Sequence, residues 1–121
     1  MIILYVPCPS KKEAVNISRA LINVGLIACA NIVPSTSIYE WKGKLVFGKE
    51  FIIHAKTSAK KFGAAKKFVR SLHSYECPAI LKIFAKANKE YVQWANLELA
   101  KHAKNMKKKA KKRNKNPTKK R

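Results

Sequence analysis

The stretch SIYEWKGKLVFGKEFIIHAKT, residues 37 to 57, decides how the chain folds. Lys42-Gly43 stands between two runs rich in aromatic and β-branched residues, and glycine tolerates the positive φ that a tight hairpin turn demands. Ser37 to Trp41 therefore leads into the turn, and a strand from about Leu45 to Thr57 returns from it. Side chains on the returning strand alternate between faces, so Phe51, Ile53 and Ala55 share one side while Glu50, Ile52, His54 and Lys56 share the other. One face is apolar and the other mostly polar.

Working outward from the hairpin, Leu26 to Val33 reads as the strand that feeds it, closed by Pro34, with Ser37 to Trp41 extending or restarting it after a bend. At the start of the chain, Ile2 to Val6 is a short apolar run that ends at Pro7 and Pro9, as a buried strand does. Between these strands Ser10 stands three residues before Glu13, the spacing of a capping box. Ala14, Ile17, Leu21 and Val24 then repeat at three and four residues, the stripe of an amphipathic helix, and Gly25 stops it. A second helix begins near Ser58, with Phe62, Ala65, Phe68/Val69 and Leu72 inward and Lys60, Lys61, Lys66, Lys67 and Arg70 outward, and it ends before Pro78. Ala79 to Ala85 reads as a fourth strand, and Asn88 caps a last helix carrying Tyr91, Trp94, Ala95 and Leu99. The order β-α-β-β-α-β-α is that of an α+β, ferredoxin-like split β-α-β sandwich with an extra C-terminal helix. Two helices cover one face of such a sheet. The other face needs a partner subunit or the last helix, so self-association is expected.

A length of 121 residues and 47% apolar content suit one domain, placed at residues 1–100. No run of about 18 apolar residues is present, so no transmembrane segment is expected, and the first residues lack the marks of a secretory signal. Three cysteines, Cys8, Cys29 and Cys77, form neither a CxxC pair nor an even disulfide framework, which points to reduced thiols and a cytoplasmic location. The net charge is +21, but 12 of the 27 Lys and Arg fall in residues 101–121, where no acid occurs. That segment has too little to bury to offset the entropy of ordering, and reads as a basic, largely disordered tail. Lys107, Lys108, Lys109, Lys111, Lys112 and Arg113 are its candidates for polyanion contact. Without aromatics among them, contact with nucleic acid is sequence-independent and salt-sensitive. The chain contains no Asp, its Glu residues are scattered, and GxxxxGK and GxGxxG are absent, so it is not expected to be an enzyme.

Several stretches together resemble one family. These are Ala28-Cys29-Ala30-Asn31 with Pro34, Ser37-Ile38-Tyr39-Glu40-Trp41-Lys42-Gly43-Lys44, Glu50 with Lys56-Thr57, His73-Ser74-Tyr75-Glu76-Cys77-Pro78, and Tyr91 with Trp94. In order and spacing they are similar to the divalent-cation tolerance protein family CutA, over about Ile2 to Leu99. The resemblance implies a PII-like homotrimer whose long hairpins bind neighbouring subunits, a part in tolerance to metal ions, and copper binding in some members. Of the family's copper ligands the chain keeps one histidine, His73. Leu72 stands at the other histidine's position and Val6 at that of the strand cysteine.

A different thiol site is expected from the topology, because antiparallel first and fourth strands bring the end of one beside the start of the other. Cys8, Cys77 and His73 then meet at this sheet edge, with Glu50 nearby, and can hold a soft ion such as Cu(I). The alternative is that both cysteines pack as small residues while His73 caps the second helix. Tyr39, Trp41, Glu50, Lys56, Tyr75 and Trp94 are read as trimer-interface or cleft residues, Cys29 as core, and His54 and His102 as solvated or interface residues. Two function classes result: a trimeric metal-response or PII-like small-molecule sensor, and a polyanion-binding protein working through its tail.

Overall fold

The apolar segments become β1 (Ile2–Cys8), α1 (Lys11–Asn23), β2 (Cys29–Trp41), β3 (Lys44–Thr57), α2 (Ala59–Leu72) and β4 (Leu81–Phe84). A third helix, α3, follows over residues 89–101, in a computed structural model that describes residues 1–101 of the chain. The sheet order is β2-β3-β1-β4 with every pair antiparallel, the ferredoxin-like arrangement expected. Alternate residues Ile2, Leu4, Val6 and Cys8 of β1 point to the helical side, where they meet Ala14, Ile17 and Leu21 of α1 and Phe62, Ala65 and Val69 of α2. Each large side chain buried there contributes roughly 1.5–3 kcal/mol.

Local signals fix the helix ends. Ser10 Oγ accepts a hydrogen bond from the Glu13 N–H at 3.1 Å, and Ser58 Oγ accepts one from the Lys61 N–H at 3.3 Å. Gly25, at φ 73°, lets its N–H reach Ile22 O and that of Leu26 reach Leu21 O, the paired bonds of a Schellman stop. Only half of the expected capping box forms, because the Glu13 carboxylate turns away to accept from the Ser74 N–H at 3.1 Å. Asn88 caps α3 through its backbone carbonyl, which accepts from Val92 at 3.2 Å, while its side chain donates to Glu90.

Three expectations about the strands need correction. Neither Pro7 nor Pro34 ends a strand: β1 runs on to Cys8 and β2 to Trp41. Each proline sits where one side of the strand has no neighbour, Pro34 on the sheet edge and Pro7 beyond Tyr5, the last β1 residue paired with β4, so the missing N–H leaves no ladder bond unmade. Leu26 and Ile27 are not strand but the bend after the Schellman stop, held by Thr57 Oγ1 donating to Leu26 O at 2.7 Å, and both are core residues. The fourth strand is Leu81–Phe84, shorter than the 79–85 expected, since residues 73–80 form a bend of their own.

Beyond the sheet the hairpin continues alone. β1 pairs with β3 only from Phe51 to Thr57, whereas β2 and β3 pair out to Trp41 and Lys44. Residues 35–50 are thus a two-stranded arm, turned at its tip by Lys42 (φ 52°) and Gly43 (φ 78°). Ile38, Leu45 and Phe47 on the arm are 61%, 65% and 67% exposed. On the sheet face away from α1 and α2, Tyr91 of α3 reaches Cys29, so α3 covers one end of that face. The basic tail, with Lys107, Lys108, Lys109, Lys111, Lys112 and Arg113, lies outside the described residues, as does His102.

Candidate functional site

The bend after α2 closes over the end of β1. His73 is the C-cap of α2, its N–H bonded to Val69 O at 2.9 Å. Its ring is fully enclosed, with Nε2 2.8 Å from Pro7 O and Nδ1 accepting the Tyr75 N–H at 3.0 Å. A carbonyl can only accept and an N–H only donate, so these two bonds assign Nε2 as the donor and Nδ1 as the acceptor. The Glu13 carboxylate lies 3.4 Å from Nδ1. Cys8 completes the group: its Sγ, the Glu13 carboxylate and a His73 ring nitrogen all lie within 4.8 Å of one another. Burial first, then the charges of Glu13 and Glu50, push the Cys8 thiol up to about 12, so it is protonated at neutral pH, its S–H directed at Val6 O at 3.8 Å.

A sulfur, an imidazole nitrogen and a single carboxylate match a soft or borderline ion better than a hard one such as Mg2+ or Ca2+. To hold it, Cys8 must lose its proton and His73 one of its two backbone hydrogen bonds. Cys77 is not part of this group; it is exposed, in the middle of the bend. The bend carries it away because β4 begins only at Leu81. Glu13 takes its place. Sequence reading found in Glu13 only a capping partner, and the usable signal was its position one turn into the helix that follows directly on β1.

On the opposite face of the same strand end lies an open cleft of about 350 Å3, lined by Pro7, Tyr39, Trp41, Glu50, Tyr75, Glu76, Cys77 and Ala79. Glu50, half-buried on β3, accepts from the Tyr75 hydroxyl at 2.6 Å and from Ser37 Oγ on β2. Tyr75 thereby anchors the bend to the arm. Burial and the hydrogen bond to Glu50 hold its phenol above the ordinary value. Four of the six predicted cleft or interface residues converge here. The other two do not: Lys56 donates to Asn31 of the neighbouring strand, and Trp94 stacks on Tyr91 with ring centres 5.6 Å apart. Cys29 is not wholly core, since its sulfur meets the Tyr91 hydroxyl at 3.0 Å. That hydrogen bond, with burial, pushes the Tyr91 phenol up to about 12.

The described chain has no helix long and apolar enough to cross a membrane. The family model described as CutA1 divalent ion tolerance protein matches residues 2–98. A Xenopus laevis relative, Protein CutA homolog, is 42% identical over 92 residues, which span 74% of this chain and 61% of its own length. Among solved structures, the periplasmic divalent cation tolerance protein CutA from Archaeoglobus fulgidus superposes with a TM-score of 0.78 at 34% identity, covering 82% of this chain and 99% of that one. The PII-like protein CutA from Nostoc sp. PCC 7120 in apo form gives 0.76 at 28% identity, over 82% and 97%. With the family model spanning nearly all the described residues and the fold shared by both structures, this chain belongs to the CutA1 divalent ion tolerance family.

Proposed function

We propose that the chain is a homotrimeric metal-response protein, a binder rather than a catalyst, and that copper is held by Cys8 and His73 with Glu13 beside them. The observation that carries this reading is the convergence of three unlike donor atoms within 4.8 Å at the end of β1. A thiolate and an imidazole favour Cu(I), and the enclosed site limits access of water and oxidants. Glu13 balances charge there and, through Ser74, holds the bend that carries His73. The three free thiols support a reducing, cytoplasmic setting.

The arm supports self-association. Its exposed Ile38, Leu45 and Phe47 cannot be covered by this chain's own sheet, which ends at Phe51, and a ring of copies buries them. Competition titration with Cu(I) tests the metal site: Cys8→Ala is expected to lower affinity at least about 100-fold and Cys77→Ala to leave it unchanged. Equal affinity of Cys8→Ala and the parent sinks the reading. Light scattering at low and high salt tests the trimer.

A second reading rests on the 12 basic residues and no acid of residues 101–121. In it the tail binds nucleic-acid phosphates without regard to sequence, and removal of residues 102–121 abolishes that binding together with its salt dependence.

A further inference from the structure

We infer that the cleft between the arm and the α2–β4 bend is a binding site for a small organic ammonium ion. Among the described residues no Lys or Arg lines this cleft, while two of the chain's six acids, Glu50 and Glu76, do. Such a lining repels phosphates and carboxylates, and so disfavours an anionic small molecule. Three aromatic rings, Tyr39, Trp41 and Tyr75, form the walls. Aromatic faces attract cations, most strongly where water is partly excluded.

The Trp41 face already attracts one, since Lys42 Nζ lies 6.0 Å from its ring centre. Glu50 supplies the full charge. Two hydroxyls, from Ser37 and Tyr75, fix the carboxylate, and no cation of the described residues is paired with it. A carboxylate has about four lone-pair positions, so two donors leave room for an ammonium N–H.

A metal ion is the weaker candidate. Among the described residues the sole group of three or more His, Cys or acidic ligands is Cys8, Glu13 and His73, which faces the other side of β1. The cleft has aromatic carbon where a metal needs further donors. The cleft shares no residue with the Cys8, Glu13 and His73 group, so its test is separate from that of the copper site.

The test is titration of the full chain with tetramethylammonium and n-butylammonium chloride, against tert-butanol as a neutral probe of similar size. Trp94→Phe serves as the parent, so that the fluorescence reports Trp41 alone. Saturable quenching by the ammonium ions is expected, at least about tenfold tighter than any response to tert-butanol. Glu50→Gln is expected to weaken it about tenfold, and melting and light scattering on the same samples check folding and assembly. Should Glu50→Gln fail to fold, Tyr39→Leu takes its place. Equal binding of the neutral probe, unchanged binding by the variants, or no saturation overturns the inference. So does dissociation of the oligomer by Glu50→Gln with no ammonium response in the parent, which assigns the cleft to a partner subunit. A monomer that binds ammonium leaves the inference standing and removes only the trimer.

Discussion

Pro7 and Cys8 are consecutive residues with opposite surroundings. Cys8 faces the helices, fully buried among apolar side chains, and its thiol is driven far toward the protonated form. Pro7 faces the other way and borders an open cleft whose carboxylate, Glu50, is satisfied by two hydroxyls. The alternation of a strand thus sets two polar groups back to back, one dry and one wet. The difference teaches that one strand end presents a different donor set on each side. Under the proposed functions the dry group, with its sulfur, suits an ion that displaces a proton, and the wet one, with its carboxylate and rings, an ion that keeps its own protons.

Four experiments test that contrast. The largest effect belongs to pH and copper: because Cys8 releases one proton on binding, apparent Cu(I) affinity is expected to rise about tenfold per pH unit between pH 6 and 8. A flat profile in competition titrations removes the thiol from the site. Next, Tyr75→Phe deletes a hydroxyl bonded to a charged group and is expected to cost about 1–3 kcal/mol in denaturant unfolding, while leaving copper affinity within about threefold. A large copper effect would show that the two faces are not separate. Third, folding raises the Cys8 thiol from its ordinary 9.0 to about 12, so the stabilisation from the protonated thiol is complete below about pH 9 and fades as pH climbs to 12. The melting-temperature gap between parent and Cys8→Ala should therefore narrow over that range. The smallest effect lies at the arm's tip, where Lys42→Asn relieves a left-handed lysine and stabilises by up to about 1 kcal/mol, with no change at either site.

The framework was legible because each signal was local. Ser10 caps the first helix where its spacing to Glu13 placed it, the second helix begins beside Ser58, Gly25 and Lys42-Gly43 turn the chain, and helical stripes face one side of an alternating sheet. What failed were inferences that needed to know a neighbour. Pro7 and Pro34 look like strand breakers until the sheet order shows that each has a free side. Leu26 and Ile27 look like strand because a buried bend and a buried strand are equally apolar.

Of the three side chains that meet at the end of β1, sequence reading named His73 and Cys8 and missed Glu13. The expectation that Cys77 meets Cys8 assumed a fourth strand starting at Ala79; with the start at Leu81, Cys77 lies in the bend and on the cleft side. Glu13 was noticed for its backbone role, and its side chain was taken by a bend about sixty residues later in the chain. Contacts of that range depend on the whole topology, which no short window contains.

The unsupported arm has a consequence for how the protein behaves at different concentrations. A ribbon of two strands is marginal in water, and residues 35–50 have no third strand beside them. In the proposed trimer their amide protection against deuterium then depends on how many copies are present. Dilution is expected to loosen the arm of such a trimer while the four-stranded body keeps its protons, so that the abundance of the chain would set the rigidity of one part of it.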